Sequence, residues 1–455
     1  MKKYVALALL FASLASNAQL QSLQVSDNHH YLTTSKKKPF FWMGDTAWLL
    51  LKKLNREDAE IYLEDRKNKG YNVIQVMVIH DMNDAVNVYG DSALVNKNIA
   101  TPFTTPGKSF DNATEYDFWD HADYIIDLAK KKGIYVALVP VWGSNVKGGG
   151  VSVAQAEAFG TWLAKRYKKE KHIIWLNGGD IKGSDGTEVW KAMGTAIKKQ
   201  DPKKLMTFHP YGRTQSSTWF HDESWLDFNM FQSGHRRYDQ DDSTAFSQDN
   251  YKYLERDFYL KPLKPSIDGE PSYEHIPHGL HDTTQPLWNE HDVRRYAYWS
   301  VFAGAFGHTY GHNAIMQFYK KGENGAYGET MLWQDALDAT GASQMKYLKE
   351  LILSKPYFER VPAQEILLEN GLKYNKIIAT RGQDYAMIYT YRSNPIKIDT
   401  SKLNWGPSDT YWFNPKDGSK TYIYKNRKDI ASTYTPTTEL KDGNDWVLVL
   451  EKSGK

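Results

Sequence analysis

Short continuous apolar runs recur along this chain, and amphipathic stretches with apolar positions three or four residues apart separate them. FFWMGDTAW (40–48) predicts a strand ending near Asp45, and the stretch from Arg56 to Lys69 predicts a helix closed by Gly70. YNVIQVMVI (71–79) is a buried strand. The pattern repeats with a helix from Phe118 to Lys132, the strand IYVALVPVW (134–142), a helix from Val153 to Lys168 and the strand HIIWLNGGD (172–180). A helix from Trp190 to Gln200 precedes LMTFHPYG (205–212), LDFNMFQSGH (226–235) and KPSIDG (264–269). A helix from Val293 to Phe306 precedes GHTYGHNAIMQF (307–318). Apolar strands alternating with amphipathic helices indicate a parallel sheet covered on both faces, and eight such units close a (β/α)8 TIM barrel.

The pattern changes near residue 360. KIIATR, DYAMIYTYR, DTYWFNP, KTYIYKN and DWVLVLEK come next as short strands without helices. Turn sequences such as Pro415-Lys416-Asp417-Gly418 separate several of them, so a small antiparallel β-sandwich is expected. At the other end, Lys2 and Lys3 precede an apolar run from Tyr4 to Ala15, and Ser16-Asn17-Ala18 supplies small residues at a cleavage site. This predicts a signal peptide, too short for a membrane span, and a periplasmic or secreted protein. The expected organisation is a signal peptide over 1–18, a catalytic barrel over 19–359 and a β-sandwich over 360–455.

Composition changes this picture little. Hydrophobic residues at 41% and charged residues at 24% suit a globular protein, and with no cysteine an exported chain must be stabilised by burial rather than disulfides. A net charge of +3 without a concentrated basic stripe gives no sign of nucleic acid as a partner. Aromatic content is high at 14%, and ring faces stack on sugar C–H faces while Tyr and Trp polar tips bond hydroxyls.

The candidate chemistry lies in IIWLNGGD, ending at Asp180, and KPSIDGEPSYE, carrying Glu270. Each apolar strand stops at a carboxylate beside glycine, a rigid mount with open space around the acid. Asp180 closes the fourth strand and Glu270 comes after the seventh. In one parallel barrel both sit at the mouth, where glycoside hydrolysis needs one protonated acid and one ionised partner. Asp45, ending the first strand, either bonds a sugar hydroxyl or caps the helix or turn after it. Trp142 and Asn145 stand at the end of strand three. His209, Tyr211, Gln232, His235, His308, Tyr310 and His312 stand at the ends of strands five, six and eight, and read together as a hydrogen-bonding set for a polyhydroxylated ligand.

Other chemistries fit less well. Ser184 stands where a phosphate loop needs lysine, Glu274-His275-Ile276-Pro277-His278 has the wrong order for a zinc helix, and there is no G-x-S-x-G elbow. Two rivals remain: a metal-dependent barrel hydrolase, if His209, His235, His308 and His312 converge, and a noncatalytic glycan-binding protein. The leading reading needs no metal and no cofactor.

With these residues in view, the sequence resembles the apiosidase-like glycoside hydrolases. The resemblance rests on FFWMGDTAW, GYNVIQVMV, WDHADYIIDLAKKKGIYVALVPVWG, IIWLNGGD, HPYGR, DFNMFQSGH, DGEPSYE and GHTYGHNAI, and spans nearly the whole chain past residue 18. It implies a barrel with a C-terminal domain of collagen-binding type, an oligosaccharide or polysaccharide substrate, and cleavage of apiose-linked side chains of plant pectin. It also implies Asp180 as acid/base and Glu270 as nucleophile. Barrels of the four/seven type usually carry Asn-Glu at the fourth strand, whereas this chain has Gly179-Asp180. A retaining mechanism predicts carboxyl groups about 5–5.5 Å apart.

Overall fold

The computed structural model of this chain describes residues 20–242, 245–246, 248–403 and 405–454. The expected signal peptide lies outside the described residues. Eight strands carry the N-terminal unit: β1 (Trp42–Thr46), β2 (Val73–Ile79), β3 (Tyr135–Val141), β4 (Ile173–Ile181), β5 (Met206–Pro210), β6 (Asn229–Gln232), β7 (Ser266–Asp268) and β8 (Gly307–Tyr310). Six of them form one parallel sheet in the order β8-β1-β2-β3-β4-β5, curled as a half-barrel. The other two pair in parallel, Asn229 opposite Ser266. Backbone hydrogen bonds cross each seam between the blocks. Asp227 N–H donates to Met206 C=O at 2.8 Å, and Phe306 N–H to Ser266 C=O at 3.1 Å.

Strand alternation sorts the core. Val73 and Met77 of β2 join the interior cluster, whereas Ile74, Val76 and Val78 join the layer beneath the helices. Those helices include α1 (Arg56–Asn68), α2 (Phe118–Lys132), α3 (Val153–Tyr167) and α4 (Thr187–Gln200). Their starts are set by caps, such as the reciprocal boxes Asp117/Asp120 and Ser152/Gln155. An antiparallel sheet of Leu23–Val25, Leu32–Thr34 and Pro39–Phe40 lies where the parallel strands begin. There the Tyr135 hydroxyl donates to Gln21 C=O at 2.6 Å.

The last apolar run of this unit, expected as a strand over 307–318, is a strand only to Tyr310. His312 accepts from Ala314 N–H at 3.1 Å and caps a short helix, Asn313–Gln317. The helix before it, α5 (Glu290–Phe302), is buried at every position from Asp292 to Phe302. The C-terminal unit covers its outer face.

That unit differs from the expected sandwich. Strands β9 (Val361–Pro362), β10 (Ile377–Arg381), β11 (Tyr385–Thr390), β12 (Ser408–Phe413), β13 (Lys420–Arg427) and β14 (Trp446–Lys452) form one antiparallel sheet, ordered β9-β10-β11-β14-β12-β13. A two-stranded pair, Ile396–Lys397 with Thr433–Tyr434, lies over its outer face. The N-terminal unit supplies the second layer on the inner face. Met387, Tyr389, Tyr411 and Val449 belong to the same apolar cluster as Tyr298 and Phe302 of α5, while Ile388, Trp412 and Leu448 face the small pair. Tyr298 stacks on Tyr389 with centroids 4.8 Å apart. Arg294 donates from Nε and Nη2 to the carboxylate of Asp445 at 2.9 and 2.8 Å, both side chains being buried.

Candidate active site

The fourth strand ends in a local distortion that the sequence dictates. Gly178 has φ +88°, Gly179 φ +115° and Asp180 φ +47°, and the β4–β5 pairing breaks between Gly178 and Ile181. A Cβ on Gly178 would lie 2.6 Å from the Phe208 ring, and one on Gly179 2.5 Å from the Trp142 ring. Only glycine fits either position, and the turn they make places Asp180 in the wall of a cleft.

Glu270 enters the same cleft from the residue after Gly269, whose carbonyl accepts from Gln75 Nε2 at 2.8 Å across the interior. Two histidines hold its carboxylate. His235 Nε2 lies 3.2 Å from Oε1, and His209 Nε2 lies 3.2 Å from Oε2 without hydrogen-bond alignment. Backbone amides fix both rings: Asp180 N–H donates to His209 Nδ1 and Tyr273 N–H to His235 Nδ1, each at 3.3 Å. With Nδ1 turned to a backbone amide, each ring points its Nε2 at Glu270.

These surroundings drive the two carboxyls apart. Burial alone raises the Glu270 pKa, but the donors and charge of His209 and His235 outweigh it and hold the group at about 2. For Asp180, burial comes first and the charge of Glu270 second, and both push its pKa upward against weaker opposition from His209. One carboxyl is kept ionised and the other is biased toward its acid form, the division of labour that acid–base chemistry requires.

The cleft has a volume of about 390 Å³. Trp48 and Trp142 pack at a tilt with centroids 5.2 Å apart, and Tyr273, Met77 and Tyr327 share the lining with them. The Tyr273 hydroxyl accepts from Trp48 Nε1 at 3.2 Å. Burial, then the charge of Glu270, raises its pKa well above the ordinary value, so it stays protonated.

Of the residues singled out in sequence, Asp180, Glu270, Trp142, His209 and His235 come together. The others do not. Asp45 is fully buried outside the cleft, where Oδ2 accepts from Arg66 Nε at 2.5 Å and the Tyr62 hydroxyl at 2.7 Å. It anchors α1 to the sheet rather than reaching a sugar. Asn145 spends its amide on the loops, accepting from Met82 N–H and donating to His80 and Trp142 carbonyls. Tyr211 is 43% exposed, beyond the cleft lining, and Gln232 is buried at the end of β6. His308 is a core residue, its pKa lowered by burial to about 3. The Tyr310 hydroxyl donates to Glu274 at 2.6 Å in the core, and His312 is a helix cap. The four histidines of the metal alternative thus do not converge. Among the described residues no group of three or more His, Asp or Glu is arranged to hold a metal ion.

Sequence reasoning missed Trp48, Tyr273 and Tyr327. Trp48 and Tyr273 lie inside FFWMGDTAW and EPSYE, so proximity to the strand ends was a usable signal. Tyr327 sits in an irregular segment with no such mark.

The model of the family described as "Apiosidase-like, catalytic domain" matches residues 26–359. The chain belongs to the apiosidase-like family. Residues 361–451 match the model described as "Putative collagen-binding domain of a collagenase". Among solved structures, one described as a glycoside hydrolase is 48% identical, with a TM-score of 0.89 over 96% of this chain and 98% of its own. A glycoside hydrolase family 5 structure from Bacteroides vulgatus is 44% identical, with a TM-score of 0.89 over 96% of this chain and 94% of its own. A search of curated proteins finds no match. Membership of the apiosidase-like family makes this chain an enzyme of the glycoside hydrolase class.

Proposed function

We propose that the protein is a retaining glycosidase of pectic side chains, cleaving apiose-linked units after export to the periplasm or medium. The observation that carries the catalytic part is the opposed tuning of Asp180 and Glu270 in one cleft. Glu270 attacks the anomeric carbon while Asp180 gives its proton to the departing glycosidic oxygen. Glycosylation removes the Glu270 charge, so one cause of the raised Asp180 pKa disappears. Asp180, now a carboxylate, takes a proton from water, the water oxygen displaces Glu270 from the sugar, and both groups return to their starting states. The eight strands act here as one closed barrel, a reading supported by the hydrogen bonds across both seams. Family membership supports the pectic and apiose assignment.

The test is turnover of apiose-bearing pectic oligosaccharides by folded Asp180→Asn and Glu270→Gln proteins. Each is expected to lose activity by a factor of ~10² to 10⁴ or more. Wild-type turnover by either variant rejects the assignment. Proton NMR of the first-formed anomer tests the stereochemistry. An inverted product would make Glu270 a general base with carboxyls about 6.5–9.5 Å apart.

A further inference from the structure

One wall of the cleft is a segment of irregular backbone between Phe318 and Trp333, and it is clamped at both ends of its inner stretch. Ala326 N–H donates to Gln317 Oε1 at 2.7 Å, and Gln317 Nε2 returns a bond to Ala326 C=O at 3.3 Å. Three residues on, the buried carboxylate of Glu329 takes two backbone amides, Thr330 and Met331, at 2.8 Å each. It also meets His275 Nδ1 at 3.0 and 3.1 Å. Lys53 pairs with Glu323 farther out. Between the clamps stands Tyr327, a non-glycine residue at φ +55°. Left-handed backbone at a bulky residue costs energy and persists only where its surroundings enforce it, commonly at sites of function.

The side chain this backbone holds is unusual in the cleft. Tyr327 is partly buried, lines the cavity and packs against the interior cluster. Its hydroxyl makes no hydrogen bond among the described residues, whereas that of Tyr273 is engaged by Trp48. Tyr327 lines the same cavity as both carboxyls. Burial first, then the charges of Glu270 and Asp180, push its pKa up to about 12, so it remains a donor across the working range of any glycosidase.

We propose that Tyr327 is a substrate-positioning residue, its free hydroxyl hydrogen-bonding a hydroxyl of the sugar held between Asp180 and Glu270. The proposal rests on the glycosidase reading of this cleft. A phenol without an internal partner, fixed by two clamps beside the reacting groups, is preorganised for a ligand's hydrogen bond.

Tyr327→Phe removes the oxygen and leaves the ring's packing, so a purely structural tyrosine would show no change. Steady-state kinetics on apiose-bearing pectic oligosaccharides should show kcat/KM lowered about tenfold in Tyr327→Phe, with Tm unchanged. The loss should lie mainly in kcat if the bond aligns the reacting sugar. Wild-type kcat/KM in Tyr327→Phe overturns the proposal, provided that Asp180→Asn and Glu270→Gln are inactive on the same substrate. If those two variants also turn over normally, the cleft reading itself fails, and the two failures are told apart in one experiment.

Discussion

The two histidines around Glu270 act through the one ring nitrogen that each turns toward it. Each has its Nδ1 held by a backbone amide and its Nε2 beside the Glu270 carboxylate, whose pKa burial alone would raise. Losing one donor should therefore move the ionisation of Glu270 rather than remove a proton shuttle. In His235→Ala the acid limb of kcat/KM is expected to rise by about one pH unit, the equivalent of one hydrogen bond. A pH–rate profile with an unmoved acid limb would show that His235 does not tune Glu270. At this scale the sequence was legible where chemistry forced a rare choice. Two glycines before an acid at a strand end marked Asp180, and glycine before Glu270 marked the other carboxylate. It was not legible where a polar residue near a strand end points the other way. Asp45, His308 and Tyr310 alternate out of the cleft, and a shift of one residue along a strand reverses the face a side chain occupies.

Among the elements, the segment that carries Tyr327 depends on an ion pair with the loop beyond the nucleophile. His275 sits five residues after Glu270, at φ +68°, with its ring stacked on His312 at 5.4 Å. The hydrogen bond to Glu329, ahead of the burial that opposes it, raises the His275 pKa above 6.5, and the charge of Glu274 adds in the same direction. Neutral His312 on the opposite ring face contributes no charge. A raised folded-state pKa contributes stability that is complete below 6.5 and is lost as pH rises through the folded value. The clamp should therefore loosen above 6.5, and KM should climb with pH in that window. In His275→Gln, KM should already be raised about tenfold at acidic pH and should lose this dependence. KM–pH profiles of the two proteins check it, and parallel profiles would exclude the clamp. Nothing in the amphipathic pattern pointed to this segment, because irregular backbone has no period to read. The helices after Asp117 and Ser152 were legible for the opposite reason, since caps and apolar spacing agree there, whereas the helix expected from Val293 to Phe306 runs from Glu290 to Phe302.

At the scale of the whole molecule, the expectation of a separate C-terminal sandwich gave way to a sheet that borrows its second layer. The strands themselves were legible from alternation. Alternation does not tell whether an apolar face meets its own chain neighbour or a distant helix, and here Tyr389, Tyr411 and Val449 meet α5. The Arg294–Asp445 pair lies at that join, so Asp445→Asn leaves a buried guanidinium short of its counter-charge. Chemical denaturation should show a loss of about 3–5 kcal/mol, far beyond the effect of a surface pair. A change below about 1 kcal/mol would mean the join contributes little. The shared layer also governs how the molecule comes apart. Neither unit keeps a complete interior once the other melts, so calorimetry should record one endotherm whose van't Hoff and calorimetric enthalpies agree. For a chain of this length that is uncommon, since independent units ordinarily melt in steps. It carries a consequence for inheritance as well: the tail cannot be shuffled onto another catalytic unit as a free module unless the recipient already offers a helix face shaped like α5.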